Sequence, residues 1–383
     1  MKIAFVTPEF PHEKMGSSGG IGTSILNLAK GLIANGNTVH VFVYGQKIDE
    51  EFEFNSIKIH RIKNIKIKGL SWLLTQKKVQ SILNSYIKKN EIDIVEFPDW
   101  TGFSSSINLN CPIVIRLNGS DSYFCHLDKR NVKKVNFLRE KKALIKADAL
   151  ISVSQYTADI TNEIFKLNKN FKIIPNSIDT SKFISSNEDD SNQNTILYFG
   201  TLIRKKGLLE LANIFNEVNK IDNQIKLILI GKDASDIASG SSSTWEIMKG
   251  IFTSSALENV DYKGSVQYDE INKHIQMATL CVFPSFAEAL PVSWIEAMAL
   301  KKAIVASNIG WANEIINDSK EGFLVNPKNH KLYAEKILEL ISNSNLRKDF
   351  GEKARIKVEK VFSIDTIAKQ SVDYYKKVLE LKK

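Results

Sequence analysis

Short runs of β-branched and apolar residues alternate along this chain with longer amphipathic stretches, in two successive series. That alternation is the pattern of βαβ units, because strands buried in a parallel sheet read as apolar runs and each crossover reads as a helix. The first series places strands at residues 2–7, 38–44, 92–96, 112–118, 149–152 and 172–174, with helices at 21–35, 129–146 and 158–167. The second places strands at 195–199, 225–230, 260–263, 280–283 and 303–306. Its helices fall at 208–218, 271–277, 292–300 and 329–342, and a last helical stretch, 363–383, closes the chain. Between the series lies 181–194, whose run SSNEDDSNQN is polar and reads as a linker. The expected division is therefore an α/β chain of two domains, 1–180 and 181–362, with 363–383 joining the first. A second polar insert, 233–244, contains SGSSST and reads as a mobile surface loop.

Composition narrows the class. Apolar residues make up 43% and charged residues 25%, which excludes a disordered chain or a fibre. Cys111, Cys125 and Cys281 have neither metal-ligand nor disulfide-framework spacing, which suits a reducing compartment. No apolar run reaches the eighteen or so residues of a spanning helix, and the opening MKIAFVTPEF reads as a strand and turn. A cytoplasmic location is the expectation. Charge is unevenly placed: residues 1–175 hold 25 basic and 16 acidic residues, the remainder 27 of each. No RNP, zinc-finger or basic-zipper signature accompanies that excess, so nucleic acid is not an expected partner.

Three segments carry chemistry. Gly16-Ser-Ser-Gly19-Gly20-Ile-Gly22 joins the first strand to a helix, where glycines and unpaired N–H groups suit a phosphate. A flexible βα loop is the plain alternative. A nicotinamide site fits less well, since GxGxxG is unmatched and no acidic residue ends the second strand. Gly200-Thr-Leu-Ile-Arg204-Lys205-Lys206-Gly207 again lies between strand and helix, and its three cations suit a pyrophosphate leaving group. An exposed basic turn would look the same. Glu288 and Glu296 stand eight residues apart, one in a loop after a strand and one in the helix beginning near Pro291. They can accept bonds from sugar hydroxyls, or be a surface and a helix-start glutamate.

With these segments in order, and with Ile174-Pro-Asn176-Ser-Ile-Asp179 followed by Phe183, the chain resembles a family 4 glycosyltransferase from residue 1 to about 375. The resemblance implies the GT-B fold, two Rossmann-like domains whose parallel sheets face across a cleft. It also implies retaining transfer of a sugar from a nucleotide-sugar held by the C-terminal domain. By motif matching, Arg204 and Lys206 would face the diphosphate and Glu288 the sugar hydroxyls, these three forming the catalytic set. Glu296 would face the ribose, the backbone of Ala289 and Leu290 the donor, and Gly19 and Gly20 the phosphate. Two positions depart from the family pattern: Thr201 stands where Arg is usual, and Asn118 where His is frequent. Asn cannot act as a general base at neutral pH.

No D-x-D pair and no ligand-spaced His or Cys cluster occurs, so neither a metal nor another cofactor is expected. On the acceptor side, Glu96, Asp99 and Trp100 offer carboxylates beside an aromatic face, and Asn118 with Asp121 would line the same cleft. A structural turn accounts for each equally well. The reading is a metal-independent hexosyltransferase, with UDP-sugar as default donor and a glycan or glycolipid of surface polysaccharide synthesis as acceptor. Its rivals are an epimerase or phosphorylase on the same fold, and a nucleotide-sugar binding protein without turnover. An anionic membrane surface is a further expected partner of the basic first half. There Lys129, Arg130, Lys133, Lys134, Arg139, Lys141 and Lys142 interleave with Val132, Val135, Phe137 and Leu138.

Overall fold

The computed structural model describes residues 1–16, 18–184 and 194–382. Internal contacts divide the chain into two units, Met1–Asp179 with Phe362–Lys383, and Thr180–Val361. The first unit runs β1 (Lys2–Thr7), α1 (Gly20–Ala34), β2 (Thr38–Gln46), β3 (Glu50–Phe54), β4 (Ile57–Lys63), α2 (Ser71–Lys88) and β5 (Ile94–Pro98). It continues with β6 (Ile113–Leu117), α3 (Asp121–Leu127), α4 (Lys134–Lys146), β7 (Ala149–Ser152), α5 (Gln155–Phe165) and β8 (Lys172–Ile173). The second unit holds β9 (Thr195–Phe199), α6 (Leu208–Ile221), β10 (Lys226–Ile230), α7 (Thr244–Ile251), α8 (Ser254–Leu257), β11 (Val260–Tyr262), α9 (Tyr268–Met277) and β12 (Leu280–Phe283). After these come α10 (Val292–Ala299), β13 (Ile304–Ser307), α11 (Ala312–Ile315), β14 (Phe323–Val325), α12 (His330–Ser342) and α13 (Ser344–Lys357). The last helix, α14 (Ile364–Leu381), returns to the first unit.

The first sheet has the order β3-β4-β2-β1-β5-β6-β7-β8, parallel throughout except for the β3–β4 hairpin at its edge. Its strands are nearly all apolar because helices cover both faces. Phe5, Val41 and Ile94 pack with α1 and α14 on one face, while Val95 and Phe97 pack with Val79 and Leu83 of α2 on the other. The second sheet is wholly parallel, in the order β11-β10-β9-β12-β13-β14.

In several places the fold departs from the sequence pattern. The β3–β4 hairpin and α2 lie within residues 50–88, where the apolar residues are interrupted by charge. Helices α3, α7, α8, α11 and α13 and the edge strand β14 are additional. The helix expected over 129–146 starts late: Lys129 adopts a left-handed φ of 53°, α4 begins at Lys134 and ends at Lys146 as expected, and a separate short helix, α3, precedes it over Asp121–Leu127. The insert 233–244 is pinned rather than loose, since Asp236 is buried and the Asp236 N–H donates to the Ser241 carbonyl at 2.9 Å. Of the expected linker, 181–194, residues 185–193 lie outside the described residues and 181–182 belong to a 3-10 turn, Thr180–Lys182; Ser17 of the glycine loop and the terminal Lys383 are also outside the described residues.

Candidate active site

In the second unit the strand order reverses between β9 and β12. An open parallel sheet leaves a ligand crevice at such a reversal, outside the carboxyl ends of its strands. Two loops emerge there. Gly200–Gly207 leaves β9 and turns once as a 3-10 helix, Arg204–Lys206, before α6; residues 284–291 leave β12 and lead into α10. Backbone stitches the loops together: the N–H groups of Phe286 and Ala287 both donate to the Lys205 carbonyl, at 2.8 and 3.3 Å. Gly207 is obligatory at this junction. Its φ is 73°, and a Cβ would collide with the Pro284 carbonyl.

This stitching brings Lys206 Nζ to 2.5 Å from Glu288 Oε1, across 82 residues of sequence. Glu288 is buried, whereas the Lys206 side chain keeps 21% of its exposure. Beneath them Tyr198 donates its hydroxyl to the Thr201 carbonyl at 3.1 Å. Burial first, and the Glu288 charge second, push that phenol well above its ordinary range. Ala289 and Leu290 are buried between Glu288 and α10, and Glu296 is buried within that helix. Lys206, Glu288, Ala289, Leu290 and Glu296 are thus gathered on two loops and one helix of one unit. Arg204 is directed elsewhere: its Nε and Nη2 donate to the two carboxyl oxygens of Asp236 at 2.8 and 2.7 Å.

In the first unit Gly19 caps α1 and Gly20 opens it. An internal anion already stands there: Gly22 N–H donates to Glu9 Oε1 at 3.0 Å, and a Cβ on Gly19 would lie 3.2 Å from the same oxygen. Any phosphate at this helix start therefore competes with Glu9, a residue that sequence pattern did not single out. The Pro-Asn-Ser segment earns its place by tying the chain back to α1. Ser24 Oγ donates to Asn176 Oδ1 at 2.8 Å, and Asn27 Nδ2 to the Ser177 carbonyl at 2.9 Å.

The reversal of the first sheet lies between β1 and β5, and its carboxylates face inward. Glu96 does not present itself to an acceptor. It is 3% exposed, with Arg116 Nε on Oε1 at 2.7 Å and the Tyr375 hydroxyl on Oε2 at 2.5 Å. Asp99 is equally buried; its Oδ1 accepts the Asn118 N–H at 2.9 Å, and burial pushes its carboxyl up to about 7. Trp100 opens the 3-10 segment Trp100–Ser106 and is half-buried. Asp121 keeps partial exposure while its Oδ2 accepts from Asn136 Nδ2 at 2.9 Å.

Glu140 holds this loop. One carboxyl oxygen accepts the N–H groups of Thr101 and Asp121, at 3.1 and 3.0 Å; the other accepts the N–H and hydroxyl of Ser122. Beside Arg139, Lys141 and Lys142 it reads as surface charge. The available signal was its spacing: positions 140, 143 and 144 share the buried face of α4. Among the described residues no group of three His, Cys, Asp or Glu could hold a metal ion.

Two family descriptions match the chain in tandem, Glycosyltransferase Family 4 over residues 18–182 and Glycosyl transferases group 1 over residues 179–357. An uncharacterized glycosyltransferase of Methanocaldococcus jannaschii is 28% identical over 362 residues, covering 93% of this chain and 92% of that one. The capsular polysaccharide biosynthesis glycosyltransferase CapM of Staphylococcus aureus is 25% identical over 268 residues, 64% of this chain and 66% of its own. Among solved structures, Anabaena HepE in complex with UDP superposes with a TM-score of 0.76 at 20% identity, over 98% of this chain and all (100%) of that one. The chain belongs to the group 1, family 4 glycosyltransferases and has their GT-B fold.

Proposed function

We propose that the protein moves a hexosyl unit, with retention at the anomeric carbon, from a nucleotide-sugar to a glycan or lipid-linked acceptor of surface polysaccharide synthesis. UDP-sugar is the donor expected. The observation that carries the reading is the Lys206–Glu288 pair at the β9/β12 reversal. A diphosphate entering that crevice meets the Lys206 ammonium, which compensates the charge that grows on the leaving phosphate. Glu288 accepts hydrogen bonds from sugar hydroxyls, the backbone of Ala289 and Leu290 meets the same donor, and Glu296 takes the ribose hydroxyls. The UDP bound by HepE and the capsular role in CapM's name support this donor and acceptor class. Calorimetry with UDP, GDP and ADP tests it. Wild type should bind UDP, and Glu296→Ala should weaken free UDP; an unchanged UDP affinity removes the ribose assignment. Donor turnover should survive excess EDTA, and a loss restored by Mn²⁺ or Mg²⁺ overturns metal independence.

The proposal extends to an anionic lipid surface docking on the first unit. On α4 the buried face is Glu140, Ala143 and Leu144, which leaves Val135, Leu138 and Ile145 exposed beside Lys134, Lys141 and Lys142. Arg139 stacks 4.5 Å over the Trp72 ring and so joins α4 to the start of α2, where Ile67, Leu70 and Leu73 are also exposed. Each cation at such a surface contributes about 1 kcal/mol. No helix among the described residues is long and apolar enough to cross a membrane. Sedimentation with phosphatidylglycerol vesicles should retain the protein at low salt and release it at high salt. Binding that survives changing Lys133, Lys134, Lys141 and Lys142 to Glu would exclude this surface.

A further inference from the structure

Two cations of one 3-10 turn part company. Lys206 reaches the loop after β12, whereas Arg204, two residues earlier, reaches the loop after β10 on the other side of β9. Its partner Asp236 is 2% exposed and also accepts the N–H and hydroxyl of Ser239, at 3.0 and 2.5 Å. The guanidinium hydrogen bond is the chief cause that holds the Asp236 carboxyl far below the usual range. Backbone runs alongside. Leu202 N–H donates to the Lys232 carbonyl at 2.8 Å, and Ala234 N–H returns to the Leu202 carbonyl at 3.0 Å. Where the loop begins, Gly231 has a φ of 145° and lies so close to the Gly200 carbonyl that a Cβ would collide with it. Where it ends, Thr244 returns its N–H and hydroxyl to the Ala234 carbonyl at 2.9 and 2.7 Å.

We propose that Arg204 is a positioning residue rather than a diphosphate ligand: its planar fork latches the loop of residues 231–243 onto the Gly200–Gly207 loop and presets the rim that receives the nucleoside end of the donor. This rests on the donor reading above. A guanidinium spent bidentately on a buried carboxylate is not a spare charge, and Lys cannot reproduce that geometry. The latch also explains why an insert as polar as 233–244 is ordered.

The test is calorimetry of UDP and of pyrophosphate on wild type, Arg204→Lys, Asp236→Asn and the double variant. The Arg204 side chain is 46% exposed, so its exchange leaves the core intact; Asp236 is buried, so thermal melts first establish that Asp236→Asn and the double variant remain folded. Each single variant should weaken UDP by roughly tenfold, the double no further, because contacting residues that act as one unit are not additive. Pyrophosphate affinity should stay unchanged. A direct phosphate ligand behaves oppositely: Arg204→Lys keeps most affinity, and Asp236→Asn frees the guanidinium and tightens both UDP and pyrophosphate. Either tighter or unchanged UDP binding in Asp236→Asn overturns the latch alone. A wild type that binds none of UDP, GDP and ADP overturns the donor reading, and the latch with it.

Discussion

Both sheets reverse their strand order once, yet the two reversals use charge in opposite ways. In the second unit, Lys206 and Glu288 meet at loop tips and the lysine stays partly in water. In the first unit, Glu96, Asp99 and Glu140 are each no more than 3% exposed and turn toward Arg116 or backbone N–H groups. The same topology thus supports a site whose charges confront each other at the carboxyl ends of central strands and one whose charges hold its loops in shape. Conserving the architecture does not conserve what its carboxylates do.

The largest effect expected belongs to the inward set. Glu96→Ala strands the buried Arg116 and should destabilise the protein by about 3–5 kcal/mol in urea unfolding. Full stability with a selective loss of transfer would return Glu96 to the acceptor side and erase the contrast. Next is Lys206→Ala, which should slow donor turnover by about 10²–10³ while costing less stability than Glu96→Ala, since Lys206 stays partly in water. An equal loss of stability and turnover would make the Lys206–Glu288 pair structural, like its counterparts in the first unit.

Asp99 sharpens the comparison through pH. Its folded carboxyl titrates near 7 against an ordinary 3.8, because burial opposes its charge. Between those values the folded state holds a proton that the unfolded state has released, so stability falls as pH rises through the window. Asp99→Asn keeps an acceptor for Asn118 N–H and cannot ionise. Its stability relative to wild type should therefore be greater at pH 8 than at pH 4, and parallel thermal melts at both values would refute the buried assignment. The smallest effect concerns Glu9. Glu9→Ala uncovers the start of α1 and should cost about 1 kcal/mol. Added pyrophosphate should stabilise the variant more than wild type, where only the Lys206 crevice takes it; equal stabilisation of the two would mean that this helix start takes no anion.

What could be read from the sequence was local. Apolar β-branched runs and amphipathic stretches marked most strands and helices, the glycines of 200–207 marked a loop between strand and helix, and the eight-residue step from Glu288 to Glu296 marked a loop and its following helix. Strand pleat, helix face and glycine's φ are decided within a few residues, so they leave a trace there. The hairpin β3–β4 and α2 escaped because their faces are only half covered and their apolar residues are diluted with charge.

The destination of each charge left no such trace. Arg204 stands between a glycine loop and two lysines, yet its partner Asp236 is 32 residues away; Glu96 is claimed by Arg116 on the next strand and by Tyr375, 279 residues on. A carboxylate in a loop has the same local sequence whether it waits for a sugar or props a backbone. Burial and the nearest cation separate the two cases, and both are set by which strands lie side by side, a property of tertiary structure alone.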